Sequence, residues 1–483
     1  MKRLIYILLV LFVVSSCSDD FEEMNTDKKN PVKVPSETLF TNAQRELADQ
    51  LASINVNMNV FKLFAQYITE TTYTDEANYD IVNRTIPDNA WTVLYRDVLM
   101  DLKEADKILE EEPAPVLDDD KKQLANKKAV IDLLRIYTYH RLVDMFGDIP
   151  YSEALDINNV NPKYDDAVAI YKSLFDKLDK DIAVLTANAG KGSFGSADII
   201  YGGDDAKWLM FANGLKLKMA IHIADAPNGI DVSKKIQEAA SGVFQSNDDN
   251  ALFHYLGATP NTNPLYMDLV ASGRHDFVAT NTMVDTMLAM NDTIRLALYY
   301  TKVKDTIASE AFKGAPYGYS AAYPNYSHMT KALEDPTFPC TLMDYTEIQF
   351  YLAEAAAKTL GGISGPDAYY KAAIESSFEY WGSDAATADT YIQNDAPYVD
   401  IKSIGLQEWI AFYNRGFFGW TSWRRHDVPT FNDPPNNYIG TGEFPTRYIY
   451  PIMEQTLNKA NRDAAASKIG GDNQNTKLFW DIN

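Results

Sequence analysis

Two stretches of helical periodicity, separated by a short break, occupy residues 345–382. In the first, Ile348, Leu352 and Ala355 recur at three- and four-residue spacing, and apolar side chains recur in the same way across residues 370–381. The break reads Gly-Gly-Ile-Ser-Gly-Pro, and small residues lie among the large ones. This pattern predicts two amphipathic helices packed as an antiparallel hairpin. Such a unit is tetratricopeptide-like, and it needs further helix pairs to bury its apolar face.

Apolar stripes with helical spacing recur elsewhere in the chain. They occupy residues 42–68, 91–105, 127–145, 164–185 and 208–224, with shorter ones at 406–414 and 453–461. Most stop at glycine, proline or an acidic run, so each predicts a helix joined to the next by a turn. The run Asp118-Asp119-Asp120 lacks the spacing and the glycine of an EF-hand, and it predicts a solvated helix start.

The periodicity is lost between residues 225 and 339. Proline and glycine break this region at Pro260, Pro264, Gly273, Gly314, Pro316, Gly318 and Pro324. Such a composition predicts loops and short helices laid over a helical array, and irregular segments on a rigid scaffold often carry binding sites. The predicted fold class is therefore mainly all-α, without a strand-rich domain.

The N-terminus has the composition of an export signal. Lys2 and Arg3 precede an apolar stretch at residues 4–14 that is too short to span a bilayer, and Val14-Ser15-Ser16-Cys17 follows. This arrangement resembles a bacterial lipoprotein signal, which implies cleavage before Cys17 and acylation of that cysteine. Several acyl chains on one residue anchor a protein to a membrane without a spanning helix. An ordinary signal peptide that happens to contain a cysteine is the alternative.

An acidic run at residues 19–23 follows Cys17 directly. It is similar to the surface-export signal of outer-membrane lipoproteins in some Gram-negative bacteria. We therefore expect residues 1–16 to form a signal peptide and residues 17–36 to form a lipidated, flexible tether. Residues 37–483 are expected to form one helical binding domain.

Charge and cysteine content narrow the function classes. The chain carries 44 Lys and Arg against 67 Asp and Glu, a net charge of −23 that repels nucleic acid. Besides Cys17 the only cysteine is Cys340, so the chain has no disulfide framework. Cys340 has no neighbouring base in the sequence and is interpreted as a packed thiol.

Sequence signatures of catalysis and metal binding are missing. The six histidines form no HxH, HExxH or HxxxH pair, no GxSxG elbow occurs, and Gly190-Lys191-Gly192-Ser193 lacks the order of a P-loop. Paired carboxylates are expected by chance in so acidic a chain. The sequence therefore predicts a protein that is not an enzyme, with no cofactor and no metal site.

Several motifs along the chain keep the order found in one protein family. They are residues 143–151 (VDMFGDIPY), 198–204 (DIIYGGD) with 207–208 (KW), 211–217 (FANGLKL), 263–266 (NPLY), the hairpin at 345–382, 407–411 (QEWIA), 423–425 (WRR), 447–448 (RY), 450–451 (YP) and 479–481 (FWD). Together they resemble the SusD/RagB-type nutrient-binding outer-membrane lipoproteins, and more closely the second SusD-like subgroup. One departure is Phe417-Phe418, where a small or acidic residue is expected before Trp420.

The resemblance implies an α-helical fold of four tetratricopeptide-like helix pairs with a loop-rich region packed on one side. It also implies a surface-exposed lipoprotein, held in the outer membrane by its lipid anchor, that binds a nutrient such as an oligosaccharide. The expected partner is a SusC-type TonB-dependent outer-membrane transporter, which receives the nutrient and supplies the energy coupling. The lipoprotein itself is expected to do no chemistry.

Ligand-binding residues are expected among the aromatic side chains of two loops, because flat ring faces suit the C–H surfaces of sugars. The candidates are Tyr73, Asp75 and Tyr79 in the first loop, and Tyr317, Tyr319, Tyr323 and Tyr326 in the mid-chain loop. Six tryptophans lie in helical stripes or family motifs and are expected in the core. They are Trp91, Trp208, Trp381, Trp409, Trp423 and Trp480.

Three alternatives remain open from the sequence. A lipoprotein of the same family that captures peptides needs a more polar cavity than tyrosine-rich loops suggest. An anchored glycoside hydrolase needs a paired acid and base about 5 to 10 Å apart. A protein-docking scaffold needs a large apolar surface patch in place of a small-ligand site.

Overall fold

The computed structural model describes residues 34–304 and 309–482, and the chain is mainly helical. The helices are α1 Ser36–Ala52, α2 Phe61–Phe64, α3 Ile86–Thr92, α4 Met100–Glu111, α5 Asp118–Phe146, α6 Ala167–Ala187, α7 Asp205–His222, α8 Val232–Ala239, α9 Pro264–Tyr266, α10 Asn281–Ala289, α11 Thr293–Tyr299, α12 Tyr345–Ala357, α13 Pro366–Tyr380, α14 Ala385–Asn394, α15 Ile401–Ala411, α16 Gly416–His426, α17 Glu454–Leu457 and α18 Lys459–Lys468. π-helical turns at Val93–Leu99 and Met267–Ala271 continue α3 and α9. Short 3-10 turns lie at Gly195–Ala197, Ala240–Gly242, Asn247–Asp249, Tyr323–Asn325 and Lys331–Glu334.

The strands of the described residues are short and pair two by two. They are β1 Ile68–Glu70, β2 Ile149–Pro150, β3 Tyr164–Asp165, β4 Ala251–Phe253, β5 Phe277–Ala279, β6 Val303–Lys304, β7 Glu310–Ala311 and β8 Cys340–Met343. The antiparallel pairs are β1 with β5, β2 with β3, β4 with β8 and β6 with β7. Two of these pairs, β1–β5 and β4–β8, join the loop-rich region to other parts of the chain.

The hairpin predicted at residues 345–382 is confirmed as α12 and α13. Asp344 caps α12, because its carboxylate accepts a hydrogen bond from the Glu347 amide at 2.8 Å. Gly365 has a φ of +76°, which turns the chain into Pro366 at the first position of α13. The two helices bury Phe350, Ala353, Ile374 and Phe378 in a shared core that also contacts α14 and α15. Local periodicity and turn chemistry therefore agree with the packing.

Other helix pairs complete the array. α1 packs on α4, α5 on α6, α7 on α8 and α15 on α16, and α6 also contacts α7. The triple aspartate at residues 118–120 forms the first turn of α5, where its charge complements the helix dipole. These contacts confirm the predicted fold class, a mainly all-α array of tetratricopeptide-like helix pairs.

The stretch predicted as helix at residues 42–68 departs from that prediction after α1. Only the single turn α2 forms, because Gln66 adopts a positive φ of 53° and ends helical geometry. Ile68 then pairs with Ala279 in the β1–β5 ladder. Pairing with a strand that is distant in sequence therefore determines the conformation here, although the local apolar spacing favours a helix.

Two further helix boundaries differ from the sequence prediction. Tyr164 belongs to β3 and not to α6, which begins at Ala167 after Asp166 caps it by accepting from the Ala169 amide at 2.9 Å. The single helix predicted at residues 453–461 is divided into α17 and α18. Helix ends depend on such caps and pairings more than on periodicity.

The loop-rich region packs against the helices through the central core. The main hydrophobic cluster includes residues from Phe40 in α1 to Trp480 near the C-terminus, and it contains β4 and β5 of the loop-rich region. The side chains of Trp208, Trp409 and Trp420 are fully buried. The six tryptophans that the sequence predicts in the core lie in this cluster or pack against it.

The N-terminal predictions lie outside the described residues. They are the signal peptide at residues 1–16, the lipidated Cys17 and the tether as far as residue 33. α1 begins at Ser36, the last residue of the predicted tether. Across residues 34–304 and 309–482, no helix is both long enough and apolar enough to cross a bilayer.

Candidate functional site

Three tyrosine side chains are exposed in the described part of the chain. Tyr73 is 70% exposed, Tyr319 52% and Tyr438 55%, whereas the other described tyrosines are buried or half-buried. An aromatic ring that is exposed to water gains nothing from the core, so exposed tyrosines on neighbouring loops are candidates for a recognition surface. We call these three residues the tyrosine surface.

Asn78 joins the three loops that carry the tyrosine surface. Its side-chain amide donates to the Gly318 carbonyl at 2.9 Å, and its Oδ1 accepts from the Asn436 amide at 2.8 Å. Its backbone carbonyl accepts from the Tyr438 amide at 2.9 Å. Asn78 is 4% exposed, so these bonds are sheltered from water. A single buried amide thereby fixes the loops of Tyr73, Tyr319 and Tyr438 relative to one another.

Gly318 marks the closest approach between two of these loops. Its φ is +75°, and a Cβ at this position would lie 2.5 Å from Cβ of Pro434. Its amide donates to Thr69 Oγ1 at 3.1 Å, which fixes the mid-chain loop to β1. Only glycine satisfies both the positive φ and this contact.

The structure separates the predicted ligand residues into exposed and buried groups. Tyr73, Asp75 and Tyr319 are exposed, whereas Tyr79 and Tyr317 are fully buried. The Tyr79 hydroxyl accepts a hydrogen bond from the Gln66 amide at 3.1 Å, and the Tyr317 hydroxyl donates to the Leu63 carbonyl at 2.9 Å. The rings of Tyr79 and Tyr317 lie 6.0 Å apart beneath the loops. Buried rings cannot stack on a ligand, so these two tyrosines support the loops from below.

Tyr323 and Tyr326 are half-buried. The Tyr323 ring stacks on His275 at 4.3 Å and on His328 at 3.7 Å between ring centroids. Two rings at such distances cannot share one face, so both faces of Tyr323 are covered by protein. The Lys313 ammonium lies 5.4 Å from the centroid of the Tyr326 ring. Neither ring is as accessible as those of the tyrosine surface.

The sequence did not predict two residues of the site. Tyr438 was not among the candidate ligand-binding residues, and Asn78 was not expected to join the loops. Tyr438 lies in the segment Pro-Pro-Asn-Asn-Tyr-Ile-Gly at residues 434–440, which is as rich in turn residues as the two loops considered. That composition could have identified the segment as a third candidate binding loop. Nothing in the sequence indicated that this segment contacts Gly318.

A buried carboxyl pair lies beneath the first loop. Glu70 accepts a hydrogen bond from the Ala77 amide at 2.9 Å, and Glu76 pairs with Arg84. Burial, together with the charge of Glu76, raises the pKa of Glu70, so this carboxyl is held in its neutral form. Because the Glu70 and Glu76 side chains do not reach the surface, they do not provide the acid and base of a glycosidase to a ligand at the tyrosine surface.

Two other groups of buried side chains have the atom types of metal ligands. They are His140, Asp144 and His222, and Glu354, Glu408 and His426. In each group the charged atoms already interact with protein. Asp144 accepts hydrogen bonds from three side chains, and Arg425 forms ion pairs with both Glu354 and Glu408. We interpret both groups as networks that join helices in the core.

A sequence model of the second SusD-like family, described as "Starch-binding associating with outer membrane", matches residues 28–451. The chain belongs to the SusD-like family. The family match covers the elements that carry the tyrosine surface, from β1 to the segment of Tyr438. No curated protein matches this SusD-like chain.

Solved structures share the SusD-like fold over nearly the full chain. A protein described as chitin-binding is 26% identical, with a TM-score of 0.78, and covers 93% of this chain and 100% of its own. A chitin-binding SusD homologue from Flavobacterium johnsoniae is 22% identical, with a TM-score of 0.76 and coverage of 93% and 98%. A SusD-like protein from Bacteroides thetaiotaomicron is 24% identical, with a TM-score of 0.77 and coverage of 93% and 99%. These similarities confirm the helical fold implied by the sequence motifs.

Proposed function

We propose that this SusD-like protein binds an oligosaccharide at the tyrosine surface and delivers it to a SusC-type TonB-dependent transporter. The observation that carries the proposal is that Tyr73, Tyr319 and Tyr438 are exposed on loops that Asn78 joins. Ring faces pack against the apolar C–H faces of sugar rings, and a preorganised set of rings loses little entropy on binding.

Polar groups beside the tyrosine surface suit the hydroxyl groups of a sugar. Asp75 is exposed in the first loop. Arg274 forms a two-pronged ion pair with Asp276, and the backbone of Asp276 accepts a hydrogen bond from the Thr71 amide at 2.8 Å. Charged groups fixed in this way donate to or accept from hydroxyl groups without first having to be ordered.

The relatives support a carbohydrate ligand. The family description names starch binding, and two solved structures with the same fold are described as chitin-binding. Their ligands differ in linkage and substituents but share the ring faces that aromatic side chains recognise. An oligosaccharide is therefore the ligand class that both the tyrosine surface and the relatives favour.

The membrane and partner assignments rest on the family and on the N-terminal sequence. The family description places such proteins at the outer membrane. Cys17 follows a basic and apolar leader, and acidic residues follow Cys17. We infer that Cys17 carries the lipid anchor, and that the protein lies on the cell surface beside its transporter and contributes binding without catalysis.

Calorimetric titration tests the binding function directly. The form comprising residues 18–483 is titrated with oligosaccharides derived from starch and chitin and with short peptides. We expect saturable binding of one oligosaccharide series without turnover. Replacing Tyr73, Tyr319 and Tyr438 together by Ala should weaken that binding by at least about tenfold, because three stacking contacts are lost.

Two controls separate stacking from a general loss of structure. The matched Phe variant at the same three positions keeps the rings and should retain most of the affinity. An Ile157→Ala variant changes a residue that is 87% exposed on another loop and should bind as the wild type does. Unchanged affinity in the triple Ala variant would refute the site, and saturable binding of peptides alone would refute the ligand class.

An Asn78→Ala variant should also lose affinity although Asn78 is buried below the tyrosine surface. The change removes the side-chain bonds to Gly318 and Asn436 and leaves only the backbone bond to the Tyr438 amide, so the loops of Tyr319 and Tyr438 are held together less firmly. We expect about a tenfold weaker sugar affinity, measured by calorimetry, with the helical circular dichroism signal retained. An Asn78→Asp variant keeps the side-chain acceptor for the Asn436 amide but loses the donor to Gly318. Its sugar affinity should lie between those of the wild type and Asn78→Ala. Wild-type affinity in Asn78→Ala would show that the loops do not depend on this residue.

A further inference from the structure

The tip of the first loop, residues 72–77, lies between two anchored positions. On one side the Thr71 amide donates to the Asp276 carbonyl at 2.8 Å, and on the other side Asn78 is bonded to the neighbouring loops. Tyr73, the most exposed ring of the tyrosine surface, lies within this tip. Its φ of +55° is unfavourable for an aromatic residue, so the tip needs contacts of its own to keep this conformation.

A pair of buried glutamates provides those contacts. Glu70 is the last residue of β1, and its carboxyl accepts a hydrogen bond from the Ala77 amide at 2.9 Å, which joins the two ends of the tip. The carboxyl groups of Glu70 and Glu76 are also hydrogen-bonded to each other, and Glu76 forms an ion pair with Arg84. Glu70 is 4% exposed and Glu76 is 0% exposed, so water does not compete for these contacts.

This arrangement needs a proton. Ionised carboxylates only accept hydrogen bonds, so a bond between two carboxyl groups requires that one of them is protonated. Arg84 stabilises the charge of Glu76, which leaves the proton on Glu70. Burial, together with the charge of Glu76, raises the pKa of Glu70 from its ordinary value of 4.5 to about 9. Between these two values the closed tip holds a proton that an open, hydrated tip would release.

The other ionisable groups around the pair do not balance a second negative charge. The Tyr317 hydroxyl of the mid-chain loop lies near Glu70, and burial raises its pKa, so it stays neutral. On the other side β5 places the apolar Phe277 opposite Glu70, and the neighbouring Asp276 already pairs with an exposed arginine. Among the described residues, Arg84 is the cation that faces the pair, and it can balance one carboxylate but not two.

We propose that Glu70 and Glu76 form a proton-dependent latch that positions Tyr73, so that ligand capture weakens as the pH rises. The proton on Glu70 keeps the tip closed. Its loss sets two buried carboxylates against each other and favours an open tip that no longer holds Tyr73 in place. The latch depends only on the glutamate pair, whereas its effect on affinity rests on the proposed binding function.

The direction of the pH dependence follows from the proton balance. Because the closed tip binds one proton more than the open tip, closure loses stability as the pH rises from the ordinary pKa of a glutamate towards the raised pKa of Glu70. A full proton released on opening changes the opening equilibrium about tenfold per pH unit. Below this range the closed form is favoured most.

Hydrogen exchange followed by mass spectrometry tests the latch without a ligand. Peptides that contain residues 72–77 report the opening of the tip after correction for the intrinsic pH dependence of exchange. From pH 5 to pH 8 the opening equilibrium of the wild type should increase by up to about tenfold per pH unit. Glu70→Gln keeps the shape of the neutral carboxyl and donates to Glu76, so its corrected exchange should not vary with pH.

A matched control separates the latch from general effects of pH and net charge. Glu110→Gln makes the same chemical change at an exposed position of α4 and should keep the pH dependence of the wild type. Circular dichroism shows whether each variant is folded. The same pH dependence in Glu70→Gln as in the wild type, or none in the wild type, would overturn the proposal.

Calorimetry with maltohexaose and chitohexaose connects the latch to binding. The wild-type affinity for the sugar that binds should fall at least about threefold from pH 5 to pH 8, whereas that of Glu70→Gln should stay nearly constant, because affinity scales with the fraction of closed tip. Constant wild-type affinity, despite an opening that depends on pH, would overturn the role of the latch in capture. If neither sugar binds at any pH, the proposed binding function fails, and hydrogen exchange alone decides whether the latch exists.

Discussion

An Asp144→Asn variant is expected to lose about 3–5 kcal/mol of unfolding free energy at pH 7. Asp144 lies on α5 with a fully buried side chain. Its carboxylate accepts hydrogen bonds from the Tyr171 hydroxyl at 2.7 Å, from His222 Nδ1 at 2.9 Å and from the Trp480 indole at 3.0 Å. The donors belong to α6, to α7 and to the C-terminal segment, so one carboxylate joins three parts of the fold.

The charge state of this network explains the size of the effect. Burial alone would raise the pKa of Asp144, but hydrogen bonds from His222 and Tyr171 to the charged carboxylate lower the pKa below its ordinary value. Burial lowers the pKa of His140 to about 4 and that of His222 to about 3, so both rings are neutral at pH 7. An asparagine amide would direct N–H groups towards side chains that already donate, and buried donors would lose their partners.

Urea unfolding followed by circular dichroism measures the difference. The matched control is Asp119→Asn, which makes the same chemical change on the same helix at an exposed position where the carboxylate pairs with Lys191. Exposed ion pairs contribute roughly 0–1 kcal/mol, so the control should unfold almost as the wild type does. Similar losses in both variants would show that the Asp144 network contributes no more than a surface pair.

The helical scaffold was predictable from the sequence because its signals are local. The spacing of Ile348 and Leu352, and the glycine and proline before α13, determine a hairpin without reference to distant residues. The candidate site depends on tertiary contacts. Tyr73 and Tyr79 lie in one polar loop, yet one is 70% exposed and the other fully buried. The Tyr79 ring is buried because it contacts the rings of Phe64 and Tyr317, which lie outside its loop. The sequence around Tyr79 does not indicate these contacts.

The departure at Phe417-Phe418 likewise has a tertiary explanation. The Arg141 guanidinium lies 4.0 Å from the centroid of the Phe417 ring, and the Lys218 ammonium lies 4.0 Å from that of Phe418. Both cations are almost fully buried. Two aromatic faces compensate for part of the hydration that these cations lose. The pair therefore follows from charges on α5 and α7 that sequence spacing does not connect to α16.

A Gly419→Ala variant is expected to destabilise the fold by at least about 2 kcal/mol and to abolish sugar binding. Alanine in place of glycine within a helix normally stabilises by about 0.5–1 kcal/mol. At Gly419 in α16, however, the added Cβ would overlap the Tyr67 hydroxyl oxygen and lie 2.5 Å from Cζ of the same ring. Overpacking of a rigid core costs about 1–3 kcal/mol or more, so the steric cost exceeds the helix preference.

The loss of binding follows from the position of Tyr67. Its hydroxyl donates to the Trp409 carbonyl at 2.6 Å, and its own carbonyl accepts from the Tyr300 hydroxyl at 2.6 Å. Tyr67 directly precedes β1, which leads into the loop of Tyr73. A displaced Tyr67 would therefore move the strand that supports the tyrosine surface.

A double-mutant cycle with Tyr67→Phe distinguishes this steric effect from a general weakness of α16. Tyr67→Phe alone removes the hydroxyl and its bond to Trp409, at a cost of about 1 kcal/mol. In the double variant the overlapping oxygen is absent, so the combined loss measured by urea unfolding should be smaller than the sum of the single losses. Some loss should persist because the Tyr67 ring carbons still lie close to the new Cβ. Additive losses would mean that the contact between Gly419 and Tyr67 does not limit the packing of α16 against the strand that carries the binding loop.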